Sequence, residues 1–395
     1  MNVAFELHDD FNAQDPRLAL AESAKGCPYR WEPKKQTLYV FGAEEVRSIL
    51  ISDGFWSERS DDCRGSQLSK AEKERRAKLR EFYGLWPIFS DGDRHKWARH
   101  VTIRLLRDTA TPELFGTFER LAHELLSEAG EDAFDWTERI AQPLAHEAAA
   151  ALTGRRDTGQ LLDLTGAVMH ELAAPDIDTT RIDRALEAVD SIRDWLGAHL
   201  QHPTSPVIAG LAKVWHGENA GPDCATALLT QLVTGSYEPT LTALCVAGEL
   251  NTTSINAEFP VQNLREEVFR LATPFRFASR YARRPVSIGP HRLGTGDRVT
   301  VCLGTANLDP RLYPEPLEIA QRRGRPHSFS FGLGKHLCPG APMARAVVDA
   351  LLTAMMRLDV RFAVEKVERE PELPMLRYRQ LKGRLRPAAR KARPA

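Results

Sequence analysis

Between Phe329 and Ala346 the chain reads FSFGLGKHLCPGAPMARA, and no other stretch narrows the possible folds as far. Gly332, Gly334 and Gly340 surround His336 and a single cysteine, Cys338. One glycine is enough for a tight turn. Three imply a backbone that passes close to a flat surface or adopts turns closed to other residues. A helical pattern, PMARAVVDALLTAMMRL, follows directly. Its positive end faces back toward the sulfur, which is expected to lower the thiol pKa.

The other cysteines (Cys27, Cys63, Cys224, Cys245 and Cys302) are scattered without CxxC pairing and read as reduced packing residues. A lone thiolate beneath a flat macrocycle can instead ligate haem iron, pushing electron density toward it and favouring O–O cleavage. Charge adds an exclusion: Lys plus Arg and Asp plus Glu number 53 each, so no global basic field calls for nucleic acid. The start, MNVAFELHDDFNAQDP, lacks a basic segment followed by an apolar run, and no uncharged apolar stretch reaches membrane-spanning length. The expectation is a cytoplasmic protein with no membrane association. Without repeats or a Gly/Ser linker, residues 1–395 are expected to form one domain, with 388–395 as a disordered basic tail.

The apolar spacing is mostly helical. CPYRWEP and TLYVFG read as a hairpin, and AEEVRSILIS as a helix. Helical runs continue through RHKWARHVTIRLL, PELFGTFERLAHELLSEAG, WTERIAQPLAHEAAAALTG and RIDRALEAVDSIRDWLGAHL. A long helix starts near Pro222 and runs to about Asn251; weakly polar on every side, it should pass through the core. NLREEVFRLA is helical, and ASRYAR, VSIG and RVTVCLG are strand-like.

Phe331, Gly332, Gly334, His336, Cys338 and Gly340 match F-G-x-G-x-H-x-C-x-G, so the stretch resembles the haem-binding loop of the bacterial cytochrome P450 family. Glu267 and Arg270 resemble its E-x-x-R, which tethers the cysteine loop. His95 and Arg99, four apart in SDGDRHKWARHV, resemble residues that reach one haem propionate. Arg280 falls where an arginine binds the other propionate, and His336 is a further propionate contact. The resemblance runs from about Pro28 to Leu385. It implies a mostly α fold with a small β portion, a triangular prism holding haem b between the long central helix and the cysteine-loop helix. Cys338 would be the metal ligand, with Phe331, Gly332 and Gly340 also contacting the cofactor.

Four positions depart from the family pattern. Leu308 stands where arginine is common. Pro339 has no N–H to offer the sulfur. Glu318 replaces the arginine that completes the network with Glu267 and Arg270, so that either Arg322 or Arg323 substitutes or the tether is weaker. In the long helix, Gly235-Ser236-Tyr237-Glu238-Pro239-Thr240 keeps the acid of an acid–alcohol proton relay but has proline at the alcohol position. Glu238 and Thr240, beside Pro239, are the relay candidates. Pro239 should also bend the helix by freeing the carbonyl of Gly235.

The resemblance implies a monooxygenase oxidising a small organic substrate, of a secondary-metabolite kind. Electrons would come from a separate ferredoxin or flavodoxin-type partner, and the chain would act as a monomer. Two other readings are peroxide-driven, coupling or dehydration chemistry, prompted by Pro239, and a non-catalytic haem-binding protein. SKAEKERRAKLREFYGLW is basic; it reads as a solvated helix, or as a surface for an anionic substrate or an acidic carrier protein.

Overall fold

The computed structural model describes residues 15–33, 35–58, 68–173, 177–217, 220–250, 260–319, 328–370 and 375–388. Cys63, Arg322, Arg323 and the tail from 389 lie outside the described residues.

Proline and a capping side chain start several helices where the sequence places them. After α1 (Pro16–Lys25), the hairpin forms from β1 (Tyr29–Glu32) and β2 (Thr37–Val40). Then come α2 (Ala43–Ile51), β3 (Phe55–Trp56) and α3 (Lys70–Gly84), the last opened by a reciprocal Ser69–Glu72 capping box. The chain turns helical through α4 (Gly92–Thr109) and α5 (Pro112–Glu128); Thr111 caps α5, with Pro112 in its first turn. A two-residue strand, β4 (Phe134–Asp135), precedes α6 (Gln142–Thr153), α7 (Gly159–Ala173), α8 (Thr179–His199) and α9 (Pro206–Trp215). The long helix is α10 (Gly221–Glu249), followed by α11 (Val261–Ala272). Strands β5 (Phe277–Ala282), β6 (Val286–Ile288), β7 (His291–Leu293) and β8 (Arg298–Cys302) lead through α12 (Leu303–Ala306) to the cysteine loop and α13 (Ala341–Arg357). A long hairpin, β9 (Val360–Glu370) and β10 (Arg377–Pro387), ends the described chain.

The larger sheet runs β1-β2-β8-β5-β3, with β2 and β8 parallel. A smaller one runs β4-β10-β9. The helices pack around α10, which touches α6, α7, α9, α11 and α13. Its residues are buried from Cys224 to Thr230 and from Thr242 to Gly248, as expected of a helix with no polar face. Between these runs Gly235 is exposed and 236–239 are half-buried, so about one turn of a core helix opens there. The helix continues unbroken through Pro239.

Candidate functional site

Cys338 sits just before α13, with its backbone N–H donating to the carbonyl of Phe331 at 2.8 Å. That bond closes the loop over its glycines. Gly332 and Gly334 have φ of +68° and +67°. A Cβ on Gly334 would come within 2.9 Å of the Leu50 carbonyl oxygen, so neither the conformation nor the space admits a side chain. The backbone N–H groups of Gly340 and Ala341 act on the Cys338 sulfur and favour its thiolate. Both groups lie beyond Pro339, which has no N–H of its own to offer. The helix end does not lower this thiol overall, contrary to the sequence expectation: burial raises its pKa by more than the two N–H groups and nearby Arg99 lower it.

Four basic side chains gather beside the loop. His95 and Arg99, one turn apart on α4, approach it from one side. The His95 ring lies 4.3 Å from that of His336, and Arg99 donates to the Leu337 carbonyl at 2.8 Å. His95 is 6 % exposed, and burial together with the His336 and Arg99 charges lowers its pKa to about 4. Burial also lowers His336. Arg280, on β5, is buried and donates to the carbonyl of its neighbour Ser279; burial lowers its pKa to about 10.

Behind the loop, Glu267 and Arg270 on α11 form a buried pair at 2.8 Å. Arg270 also donates to the carbonyls of Asn307, Pro316 and Glu318. Glu318 thus contributes its backbone where its side chain departs from the family pattern. Asn307 continues the network, donating to Ser330 and accepting from the N–H of Phe329, while the Ser330 hydroxyl donates to the Phe269 carbonyl. The tether reaches the cysteine loop. Phe331 packs between Phe269 and the guanidinium of Arg345.

The residues fit a haem on three observations. Among the described residues, His336 Nε2 is buried with no hydrogen-bond partner and Arg280 is a buried cation donating to a backbone carbonyl, so both suit the anionic propionates. A Cβ at Gly235, in the open turn of α10, would meet no atom within 4 Å. The Cys338 thiol is of the type that would hold haem iron.

The sequence profile described as Cytochrome P450 matches residues 261–383, covering the tether, strands β5 to β8 and the cysteine loop. The match places residues 261–383 in the cytochrome P450 family. The 6-deoxyerythronolide B hydroxylase of Saccharopolyspora erythraea is 25% identical over 249 residues, 60% of this chain and 61% of that protein. The match therefore spans less than two thirds of that relative's length. The polyketide biosynthesis cytochrome P450 PksS of Bacillus subtilis is 26% identical over 67% of this chain and 70% of its own. The crystal structure of P450BioI in complex with an acyl carrier protein bearing hexadec-9Z-enoic acid superposes with a TM-score of 0.77. Identity is 19%, with 93% of this chain and 98% of that one covered, a likeness of fold.

Within this chain the relay candidates are separated. Glu238 points toward the C-terminal hairpin, its Oε2 lying 3.5 Å from Arg377 Nε. Thr240 is buried, 4 % exposed. Pro239 stands between them in the half-buried turn. Sequence reasoning passed over Asp91, Lys335 and Arg377. Their places, Asp91 just before α4 and Lys335 beside His336, do not by themselves announce a role. Nothing in the sequence announces Arg377.

Proposed function

We propose that this chain is a haem-thiolate monooxygenase that oxidises a small organic molecule of a secondary-metabolite kind. The observation that carries the reading is the placement of Cys338, just before α13 in a loop closed by its N–H on the Phe331 carbonyl, beside a buried cluster of His95, His336 and Arg280. Arg99, Arg280 and the two histidines would hold the propionates, and Phe331, Gly332 and Gly340 would lie against the macrocycle. Bound there, the haem supplies dioxygen activation, with the thiolate favouring O–O cleavage. The chain's own residues orient substrate over the open turn of α10 and deliver protons from that helix. Glu238, through ordered water, is the first candidate and Thr240 the second.

Electrons would come from a ferredoxin or flavodoxin-type protein. The relatives' names, a hydroxylase and a polyketide biosynthesis cytochrome P450, support the substrate class. P450BioI was solved with an acyl carrier protein, which supports a carrier-bound substrate here as well, with α3 offering basic side chains such as Lys70 and Lys78 to an acidic carrier. Among the described residues no helix is long and apolar enough to cross a membrane.

The test is the reduced carbonyl complex. It should show the red-shifted Soret band of thiolate ligation, and Cys338→His should lose it; retention in the variant would sink the assignment. Pro239 favours a second reading, peroxide-driven or coupling chemistry. Turnover with peroxide but not with reductase and dioxygen selects that reading. Haem binding without product under either condition selects a carrier.

A further inference from the structure

Asp91 stands at the N-terminus of α4, yet its carboxylate does not cap that helix. Its oxygens gather two other segments. Oδ2 accepts from the backbone N–H groups of Ser57 at 2.6 Å and Glu58 at 2.9 Å, just beyond β3. Oδ1 accepts from Lys335 Nζ at 2.6 Å, and His336 Nε2 lies 3.7 Å from the same oxygen, too far for a hydrogen bond. The Lys335 ammonium also reaches the Phe55 carbonyl at 3.4 Å. The Asp91 side chain is 6% exposed. Burial raises its pKa, but contacts with His336, Lys335 and the Glu58 N–H outweigh that and hold it well below the usual carboxylate range. The carboxylate is therefore ionised in the folded protein. It feels Arg280 as well as His336, which are the groups suited to the propionates.

We infer that Asp91 and Lys335 are positioning residues for the haem, an ion pair that fixes the cysteine loop against α4 and sets two opposed charges beside the cofactor. The inference rests on the haem-thiolate reading. The geometry supplies the first half: one carboxylate joins residues 57–58, the start of the helix carrying His95 and Arg99, and the loop carrying His336 and Cys338. Electrostatics supplies the second. Reduction adds negative charge to the cofactor, so a nearby anion disfavours it and a nearby cation favours it. A tie that only holds the loop in place predicts something different. Breaking it from either end would loosen the same contact and move the reduction potential in the same direction.

The experiment compares Asp91→Asn, Lys335→Met, the double variant and Lys335→Arg, each as full-length haem-loaded protein, by spectroelectrochemical titration. Asp91→Asn should shift the reduction equilibrium toward the reduced form, and Lys335→Met toward the oxidised form. Each shift should be about three- to tenfold, tenfold being about 59 mV for one electron. The double variant should return to within about twofold of the parent, and Lys335→Arg should match it. Shifts of the same sign, or none, overturn the inference while the parent's thiolate band stands. A parent without that band overturns the haem-thiolate reading and this inference together. Should Asp91→Asn fail to load haem, Lys335→Met against Lys335→Arg still decides: a downward shift for methionine alone supports the opposed charges, and equal potentials refute them.

Discussion

A methyl group at position 334 meets two obstacles at once. The residue's φ is +67°, and its Cβ would stand 2.9 Å from the Leu50 carbonyl oxygen, which is backbone and cannot swing away. Gly334→Ala should therefore cost about 1–3 kcal/mol, read as a lower unfolding midpoint and faster haem loss. Stability equal to the parent would show that the loop relaxes around the methyl. His95 gives a pH dependence in the haem-free protein. Its folded pKa of about 4 lies below the ordinary 6.5, so between those values the unfolded chain binds the extra proton. Stability contributed by the neutral ring is full above the ordinary value and declines as pH falls through this window. Urea midpoints should drop across it, and His95→Gln should flatten that part of the curve; an unchanged slope in the variant would assign the dependence elsewhere. His336, Cys338 and the glycines were legible because they are contiguous and each needs a particular residue type. Asp91 was not, because its role exists only once residues 57, 91 and 335 meet.

Among the elements, α10 carries the chemistry that remains open. Pro239 leaves the helix unbroken, so the loss at that position is the hydroxyl and not the element. Glu238 lies 3.5 Å from Arg377, at the start of β10, and the next turn is tied to the residue just before that strand by the Thr242 hydroxyl donating to the Leu376 carbonyl at 2.7 Å. A charged side chain in the half-buried turn can exchange protons with water there, whereas buried Thr240 would have to turn inward. Glu238→Gln should cut product formed per electron consumed by about tenfold or more, and Thr240→Val by much less. Parent-like coupling in both variants would move proton delivery to substrate or peroxide. Helices were the most legible elements because their apolar spacing is long and regular. One of them was read too simply. The segment from Trp136 to Gly154 contains a π-turn at Thr137–Ala141, because Pro143 has no N–H for the Arg139 carbonyl and the ladder slips before it. The β9–β10 hairpin went unread. Register shifts between Tyr378 and Gln380 and between Lys382 and Gly383 break the alternation that marks a strand.

Over the whole molecule, one carboxylate joins parts of the chain far apart in sequence. Glu249, at the end of α10, accepts from Arg17 on α1 at 2.7 Å and from Arg369 on β9 and the Tyr378 hydroxyl on β10. Arg17 in turn holds Asp15 at 2.7 Å. The side chains of Arg17, Glu249 and Arg369 are 10%, 14% and 9% exposed, so neither guanidinium has water to fall back on if the acid is lost. Removing one member of a buried ionic cluster costs about 3–5 kcal/mol, because the partners left behind remain charged and desolvated. Glu249→Gln should lose stability on that scale, and Tyr378→Phe, which deletes one donor and leaves the ion pairs, about 1 kcal/mol. The exposed pair of Glu365 and Arg384 is the control, and Glu365→Gln should leave the unfolding midpoint unchanged. The cluster lies 11 residues beyond Glu238 along α10, about 16 Å of helix. The thiolate band of folded Glu249→Gln should therefore match the parent's even as its melting temperature falls. A Glu249→Gln protein as stable as Glu365→Gln would mean that the chain ends are held by apolar packing, and that this cluster only decorates the contact.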